Sequence, residues 1–288
     1  MPVVFVLIWS TGFIVARYGM PHAPPLSFLA VRYALSVLCF GVWVVVAGVA
    51  WPRTRGQWLH LAVTGVLMHA GYLGGVWAAV KAGMGSGLTA LIVGVQPVLT
   101  ALWLSAAGTR VSARQWAGLG LGFVGLVLVV SRKFAQGGPG DTATWLNLSY
   151  AVGALVCITA GTLYQKRHVT PCDVRSANAV QLVAALVVTL PLALLETEPM
   201  VWHPELVGAM AWSVFGLTLG GSSLLYLLIQ RGAAATVSSL MYLVPPCTAL
   251  IAWVLFGEPI TPLTVLGIAV TALGVGLVVR APSGKVTG

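Results

Sequence analysis

The chain contains one pattern twice, at a constant spacing of 149 residues. The stretch Gly83–Ser131 returns as Gly232–Arg280, with matching glycines, a matching proline and apolar residues between them. The paired positions are Gly83 and Gly232, Pro97 and Pro246, Gly108 and Gly257, Gly118 and Gly267, and Gly125 and Gly274. The same shift also pairs Gly12 with Gly161, Gly71 with Gly220, and Arg32 with Gln181. One spacing held across both halves indicates an internal duplication, because unrelated segments would not keep a common register.

The composition is that of a membrane protein. Of the 288 residues, 58% are hydrophobic and 7% are charged, whereas a soluble domain carries about 25% charged residues. The net charge is +9, but the basic residues stand at the ends of apolar runs, as in membrane-spanning chains. We therefore predict that the chain is surrounded by the lipid bilayer and has no nucleic-acid partner.

The sequence shows no pattern typical of a cofactor, metal or catalytic site. It has no phosphate-binding loop, metal-ligand cluster or nucleophile–base pair, which argues against an ATP-driven pump and against an enzyme. Four cysteines without metal-ligand spacing are predicted to be free thiols: Cys39, Cys157, Cys172 and Cys247. The N-terminus lacks the basic region of a signal peptide and is predicted to begin the first membrane span.

Ten apolar runs are long enough to cross a membrane, which requires about 20 residues. They are Val3–Tyr18, Leu26–Ala50, Trp58–Val80, Ser86–Ala107, Gln115–Val130, Trp145–Gln165, Ser176–Leu195, Leu206–Ile229, Ala233–Phe256 and Pro262–Val279. The predicted fold is therefore all-α and integral to the membrane, with ten transmembrane helices in two five-helix repeats. The first repeat covers residues 1–131, a linker 132–144, the second repeat 145–280 and a tail 281–288.

The distribution of Lys and Arg predicts the orientation. With a cytoplasmic N-terminus, ten basic residues lie inside: Arg53, Arg55, Arg110, Arg114, Lys166, Arg167, Arg175, Arg231, Arg280 and Lys285. Four lie outside: Arg17, Lys81, Arg132 and Lys133. Both termini are then cytoplasmic. Because five is an odd number of spans, the two repeats must be inverted, which is typical of secondary transporters.

Prolines interrupt two spans at matched positions. Gln96-Pro97 lies in the fourth span and Pro245-Pro246 in the ninth. A proline removes a backbone hydrogen bond that lipid cannot replace, so the freed carbonyl must face protein or a wet cavity. We predict that Pro97, Pro245 and Pro246 act as hinges beside a cavity. The glycine-rich fifth and tenth spans predict close helix contact or a homodimer face.

Several short motifs resemble those of EamA-type permeases of the drug/metabolite transporter superfamily. They are Trp9-Ser-Thr-Gly-Phe13, Pro24-Pro25, Phe28, Arg32-Tyr33, Gln96-Pro97 and Phe256-Gly-Glu-Pro259. The resemblance covers essentially the whole chain and implies an export permease for small metabolites, often amino acids or related compounds. One departure is Gly108-Thr109, where many such permeases carry Gly-Glu; here that acid occurs only as Glu258.

Polar side chains within the spans are the candidates for a solute-binding cavity, because they are costly in lipid. His69, central in the third span, is the best-placed titratable group, and we assign to it any proton coupling; the alternative is a packing role. An aromatic and hydroxyl-rich pocket suits a small amphipathic solute. The predicted cavity residues are Trp9, Thr11, His69, Tyr72, Trp77, Gln96, Thr159, Ser222, Tyr226, Ser239 and Tyr242.

Arg32, near the outer end of the second span, is predicted to reach the interface or to clamp a helix rather than to bind a substrate carboxylate. Arg17 and Lys81 are predicted to be solvated at the outer mouth. The predicted function is export of a small organic metabolite, an amino acid or derivative, through the inner membrane by alternating access. The alternatives are a cationic-drug exporter, disfavoured because the first span has no acid, and a membrane-embedded enzyme.

Overall fold

The computed structural model describes residues 2–84, 89, 92–135, 144–231, 240–256 and 262–279. In these ranges the first repeat contains α1 (Pro2–Ser10), α2 (Gly12–Gly19), α3 (Pro25–Val46), α4 (Arg55–Lys81), α5 (Gln96–Ala106) and α6 (Ala113–Ala135). The second contains α7 (Trp145–His168), α8 (Val174–Ala193), α9 (Pro204–Arg231), α10 (Val244–Phe256) and α11 (Pro262–Val279). Within the described ranges, five helices are long and apolar enough to span a membrane: α3, α4, α7, α8 and α9.

Polar residues begin several of these helices. Thr144 and Asn147 form a capping box at the start of α7, where each side chain accepts a hydrogen bond from the other residue's backbone N–H. Asp173 caps α8 and also accepts hydrogen bonds from the Arg175 side chain. Those bonds stabilise the carboxylate and hold the pKa of Asp173 below its usual value. The helix starts are thus specified locally, between the apolar runs.

The first span is broken, contrary to the prediction of one helix over Val3–Tyr18. A turn at Thr11 separates α1 from α2. The Ser10 hydroxyl donates to the carbonyl of Val6 at 2.6 Å, and the Thr11 hydroxyl donates to the carbonyl of Ile8 at 2.6 Å. Hydroxyls that return to backbone carbonyls compete with the helix ladder and bend it. Hydropathy alone did not indicate this break.

The matched prolines lie where helices begin. A turn at Gly94 and Val95 precedes α5, and Pro97 occupies its first turn. The 3₁₀ turn Met241–Leu243 precedes α10, and the two prolines of the ninth span follow Val244 directly. A proline in the first turn of a helix costs no hydrogen bond, because the N–H there has no partner within the helix. The interruptions are present, and the hinge role stays a prediction.

Helices α6 and α11 cross at glycines in a reciprocal manner. A Cβ added to Gly118 would lie 2.6 Å from the carbonyl oxygen of Gly274, and one added to Gly125 would lie 2.7 Å from that of Gly267. Under the shift of 149 residues, Gly118 is equivalent to Gly267, which is the partner of Gly125. Gly125 is in turn equivalent to Gly274, which is the partner of Gly118. The contacts therefore exchange when the two repeats are exchanged, and the two helices run antiparallel.

A second reciprocal pair of contacts lies elsewhere in the bundle. A Cβ on Gly71 would lie 3.1 Å from the Cβ of Cys157, and one on Gly220 would lie 3.6 Å from Ile8. Here too, each position is the other's equivalent under the shift of 149 residues. The duplication is thus a two-fold relationship in space as well as a repetition in sequence.

The contact between α3 and α8 shows that the repeats are inverted. The backbone N–H groups of Leu26 and Ser27, at the start of α3, donate to the carboxylate of Glu196, just after the end of α8. These two helices are equivalent under the shift, yet they run in opposite directions. The predicted all-α fold of two inverted five-helix repeats is confirmed.

Candidate functional site

A narrow cavity lies between the two repeats. Its volume is about 10 Å³, which is room for about one water. The lining residues are Trp9, Met68 and His69 from the first repeat and Gln165, Gln181, Ser222, Leu225 and Tyr226 from the second. A larger hollow, about 520 Å³ and open, lies at the α5–α6 connection around Arg110. That hollow is at helix ends, away from the repeat interface.

Three polar atoms that line this cavity are buried without a hydrogen-bond partner: Nε2 of Gln165, Nε2 of Gln181 and Oγ of Ser222. Each such orphaned group costs about 1–3 kcal/mol. The His69 ring lies within hydrogen-bonding reach of the Gln181 side chain. In this orientation the Gln181 amide nitrogen has no hydrogen-bond acceptor. The cavity thus offers donors and lacks acceptors for them.

Two equivalent pairs of side chains join the repeats beside the cavity. Arg32 donates from Nε to the hydroxyl of Thr218 at 2.9 Å, and His69 approaches Gln181. Gln181 is the equivalent of Arg32, and Thr218 is the equivalent of His69. Arg32 and Thr218 therefore link α3 to α9, and the equivalent residues Gln181 and His69 link α8 to α4. Of these two links, the one with Arg32 carries a guanidinium charge.

Arg32 is buried, with 5% of its surface exposed, so of its two predicted structural roles it does not reach the interface, whereas its bond to α9 agrees with a helix clamp. The reason is its bond to Thr218, whose hydroxyl in turn donates to the carbonyl of Ser213 at 2.9 Å. That second bond lies within the π-helical segment Ser213–Ser222 of α9. The Arg32 charge also acts electrostatically on His69 and Tyr72, so it influences the cavity.

Arg32 has no carboxylate partner among the residues that the structure describes. The four described carboxylates are engaged elsewhere, as Asp173 with Arg175, Glu196 with the start of α3, Glu198 with Lys81, and Glu205 with His22. A buried charge without a counter-ion is costly, and in membrane proteins it marks function by default. Lys81 is exposed, while the Arg17 side chain lies outside the described residues.

The structure brings four predicted residues to the cavity: Trp9, His69, Ser222 and Tyr226. Tyr72 lies against them, within hydrogen-bonding reach of the Trp9 indole. Trp77 is stacked on Phe28 with ring centroids 4.8 Å apart, beside α3.

Other predicted residues have partners in the helix bundle. Gln96 donates to the Thr162 hydroxyl at 3.3 Å, and Thr159 donates to the carbonyl of Leu155. Thr11 accepts a hydrogen bond from the indole of Trp212 at 2.7 Å.

The last two predicted cavity residues, Ser239 and Tyr242, and the predicted hinge residue Pro245 lie in the ninth span. The hydroxyl of Tyr242 is buried without a partner, and its ring packs against Gly122. Ser239 lies outside the described residues, as does the side chain of Pro245. Tyr242 is therefore not part of the cavity lining, and the predicted roles of Ser239 and Pro245 stay predictions.

Sequence reasoning did not select four of the lining residues, namely Met68, Gln165, Gln181 and Leu225. A signal for Gln181 existed, because the shift of 149 residues pairs it with Arg32. Gln165 is an uncharged polar residue at the end of an apolar run, where hydropathy does not distinguish a buried amide from a solvated one.

The sequence model of the EamA-like transporter family matches residues 2–131 and 145–280. The uncharacterized inner membrane transporter YedA of Escherichia coli K12 is 26% identical over 94% of this chain and 87% of its own length. A probable amino-acid metabolite efflux pump of Salmonella typhimurium LT2 is 23% identical over 93% and 90%. A crystal structure at 17% identity superimposes with a TM-score of 0.79 over 96% of this chain and 95% of that one. The protein is therefore a membrane transporter and belongs to the EamA-like transporter family.

Proposed function

We propose that the protein exports a small metabolite that carries a carboxylate, such as an amino acid or a close derivative, across the inner membrane. The observation that carries this proposal is the set of three unpaired donors at one cavity, on Gln165, Gln181 and Ser222. A carboxylate supplies the acceptor oxygens that these donors lack. The apolar walls formed by Trp9 and Leu225 suit a side chain. The name of the Salmonella relative, a probable amino-acid metabolite efflux pump, supports the same class.

The electrostatics of the site disfavour a cationic substrate. No Asp or Glu occurs among the described residues that line the cavity. Among the described residues, the positive charge of Arg32 acts on His69 at the cavity. A cation would be repelled by this charge, whereas an anionic group would supply its missing counter-ion. The cationic-drug exporter is therefore the second candidate.

Alternating access fits the contacts at the two ends of the cavity. At one end Glu196 binds the start of α3. At the other end Gln57 donates to the hydroxyl of Thr170 at 2.7 Å, and Lys166 donates to the carbonyl of Gln230. The Glu196 contact and the Gln57 contact each join one repeat to the other. The cavity that lies between these two contacts is too small for a metabolite. Solute entry requires that one set of contacts opens.

Single-cysteine labelling tests the proposed orientation, with both termini in the cytoplasm. In a cysteine-free background, Thr197→Cys should react with an impermeant maleimide in intact cells, because residue 197 follows the end of α8 on the proposed outer side. Gly56→Cys, near the start of α4, should react only after lysis. Labelling of both positions from the same side would contradict the inverted topology.

Substitution of the unpaired donors tests the cavity. In proteoliposomes, Gln181→Leu and Ser222→Ala should lower kcat/KM for amino-acid efflux by about tenfold or more, since a hydrogen bond to a charged group contributes about 1.5–3 kcal/mol. Ser36→Ala is the matched control, because Ser36 also has a buried, unpaired hydroxyl but does not line the cavity. It should leave efflux unchanged. Equal efflux of amino acids and of the amines that lack the carboxylate would overturn the proposed substrate class.

A further inference from the structure

Two histidines and a glutamate meet at the end of the bundle that the charge distribution assigns to the outside. His22 lies between α2 and α3, and His203 and Glu205 lie at the start of α9. Oε2 of Glu205 is 3.1 Å from Nε2 of His22 and 4.0 Å from Nδ1 of His203. All three ligand atoms lie within 4.8 Å of one another. None of these residues takes part in the cavity.

The geometry points to a binding site for one divalent transition-metal ion of the zinc type, held by His22, His203 and Glu205. Imidazole nitrogens and a carboxylate oxygen are ligands that Zn²⁺ prefers. Zinc bonds of about 2.0–2.1 Å in a tetrahedron place the ligand atoms roughly 3.3 Å apart. The separations of 3.1 and 4.0 Å differ from this value by less than about 1 Å. The two histidine nitrogens, which lie within 4.8 Å of each other, need a shift of up to roughly 1.5 Å. The three side chains are partly or largely exposed, which leaves the fourth position to water.

Binding requires a local rearrangement that exposed side chains allow. The rings of His22 and His203 are stacked, with centroids 4.6 Å apart and planes 16° from parallel. A metal lies in the plane of each imidazole that binds it, so one ring must turn. Nδ1 of His203 accepts the backbone N–H of Glu205 at 3.3 Å, and the ring must release this bond or present Nε2. The backbone is already fixed by a hydrogen bond from Val201 N–H to the carbonyl of His22 at 2.8 Å.

The site would link the two repeats. His22 belongs to the first repeat, and His203 and Glu205 belong to the second. A bound ion therefore adds a bridge at the end where Glu196 holds the start of α3. Ion binding itself does not depend on the proposed function. If alternating access holds, the occupied site keeps this end closed and inhibits transport.

Cobalt and zinc titrations of the full-length protein test the site. The protein is purified in detergent without a polyhistidine tag and treated with a chelator. Co²⁺ should bind once per chain and give the visible absorption of low-symmetry coordination, and Zn²⁺ should displace it. His22→Ala and Glu205→Gln should each weaken Zn²⁺ affinity by at least about tenfold, since each removes a direct ligand.

His60→Ala is the matched control, because His60 pairs with Tyr164 through a hydrogen bond at 2.8 Å, far from the cluster in the sequence. Its Zn²⁺ affinity should equal that of the wild type. Zn²⁺ should also raise the Tm of the wild type and of His60→Ala, but not that of His22→Ala. The proposal is overturned if Zn²⁺ shows no saturable binding below about 1 mM, or if binding survives both His22→Ala and Glu205→Gln.

Discussion

Replacing Arg32 with methionine should abolish transport and leave the protein as stable as the wild type or more stable. The buried guanidinium has no described carboxylate partner, so its removal relieves a desolvation cost. Replacing even a buried ion pair by well-packed apolar residues is often neutral or stabilising by about 1–4 kcal/mol, and Arg32 has no described counter-ion to lose. Thr218 loses a donor but keeps its own bond to the carbonyl of Ser213. Transport should fail because the substrate carboxylate loses the positive charge that acts on the cavity.

Two further variants separate a substrate role from a structural one. Thr218→Val should lower stability by about 1–3 kcal/mol, because it leaves the Arg32 Nε donor buried without an acceptor. Arg32→Lys should keep part of the transport, since it keeps the charge. Thermal unfolding in detergent and efflux from proteoliposomes provide the two measurements. If Arg32→Met loses stability together with transport, Arg32 is a structural clamp and the counter-ion argument fails.

Gly65→Ala should also abolish transport, through a steric effect between α4 and α8. A Cβ at this position would overlap the carbonyl oxygen of Gln181 and lie 2.5 Å from its Cα. Backbone atoms cannot rotate away, so the two helices must separate. Overpacking of this kind costs about 1–3 kcal/mol or more. The shift would also displace the Gln181 side chain from the cavity.

Gly153→Ala is the matched control, because no atom lies within 4 Å of a Cβ at that position in α7. Alanine there should be neutral or slightly stabilising, since glycine is the weaker helix former. Size-exclusion profiles and efflux rates of both variants are compared. Wild-type behaviour of Gly65→Ala would show that the helices are not in close contact at Gly65.

The repeat in the sequence was sufficient to predict the architecture. A spacing of 149 residues with five spans in each half requires inversion, and the reciprocal contacts of Gly118 and Gly125 show the same two-fold relationship in space. The bounds of α11, Pro262–Val279, are those of the predicted tenth span. These features follow from hydropathy and from glycine positions, which are local properties of the chain.

The rotation of the helices could not be predicted in the same way. The eighth span carries Thr218, Ser222 and Tyr226 at a spacing of four, which suggests one face of an α-helix. The structure has a π-helical segment over Ser213–Ser222, and its i→i+5 hydrogen bonds change the angle between successive side chains around the helix axis. In the structure Thr218 binds Arg32, while Ser222 and Tyr226 line the cavity. Such segments depend on tertiary contacts rather than on hydropathy.

Arg32 and Gln181 occupy equivalent positions in the two repeats, but only Arg32 is charged. The two halves of the molecule therefore differ in charge at this position. Alternating access requires the two repeats to exchange conformations. In this exchange the surroundings of the charged Arg32 and those of the neutral Gln181 would be interchanged. The membrane potential does about 2.3 kcal/mol of work per 100 mV on one charge that crosses the whole field. If Arg32 changes depth even partly during the transport cycle, voltage will bias the equilibrium between the two access states. Efflux at clamped potentials would show this bias in Arg32→Lys, which keeps the charge.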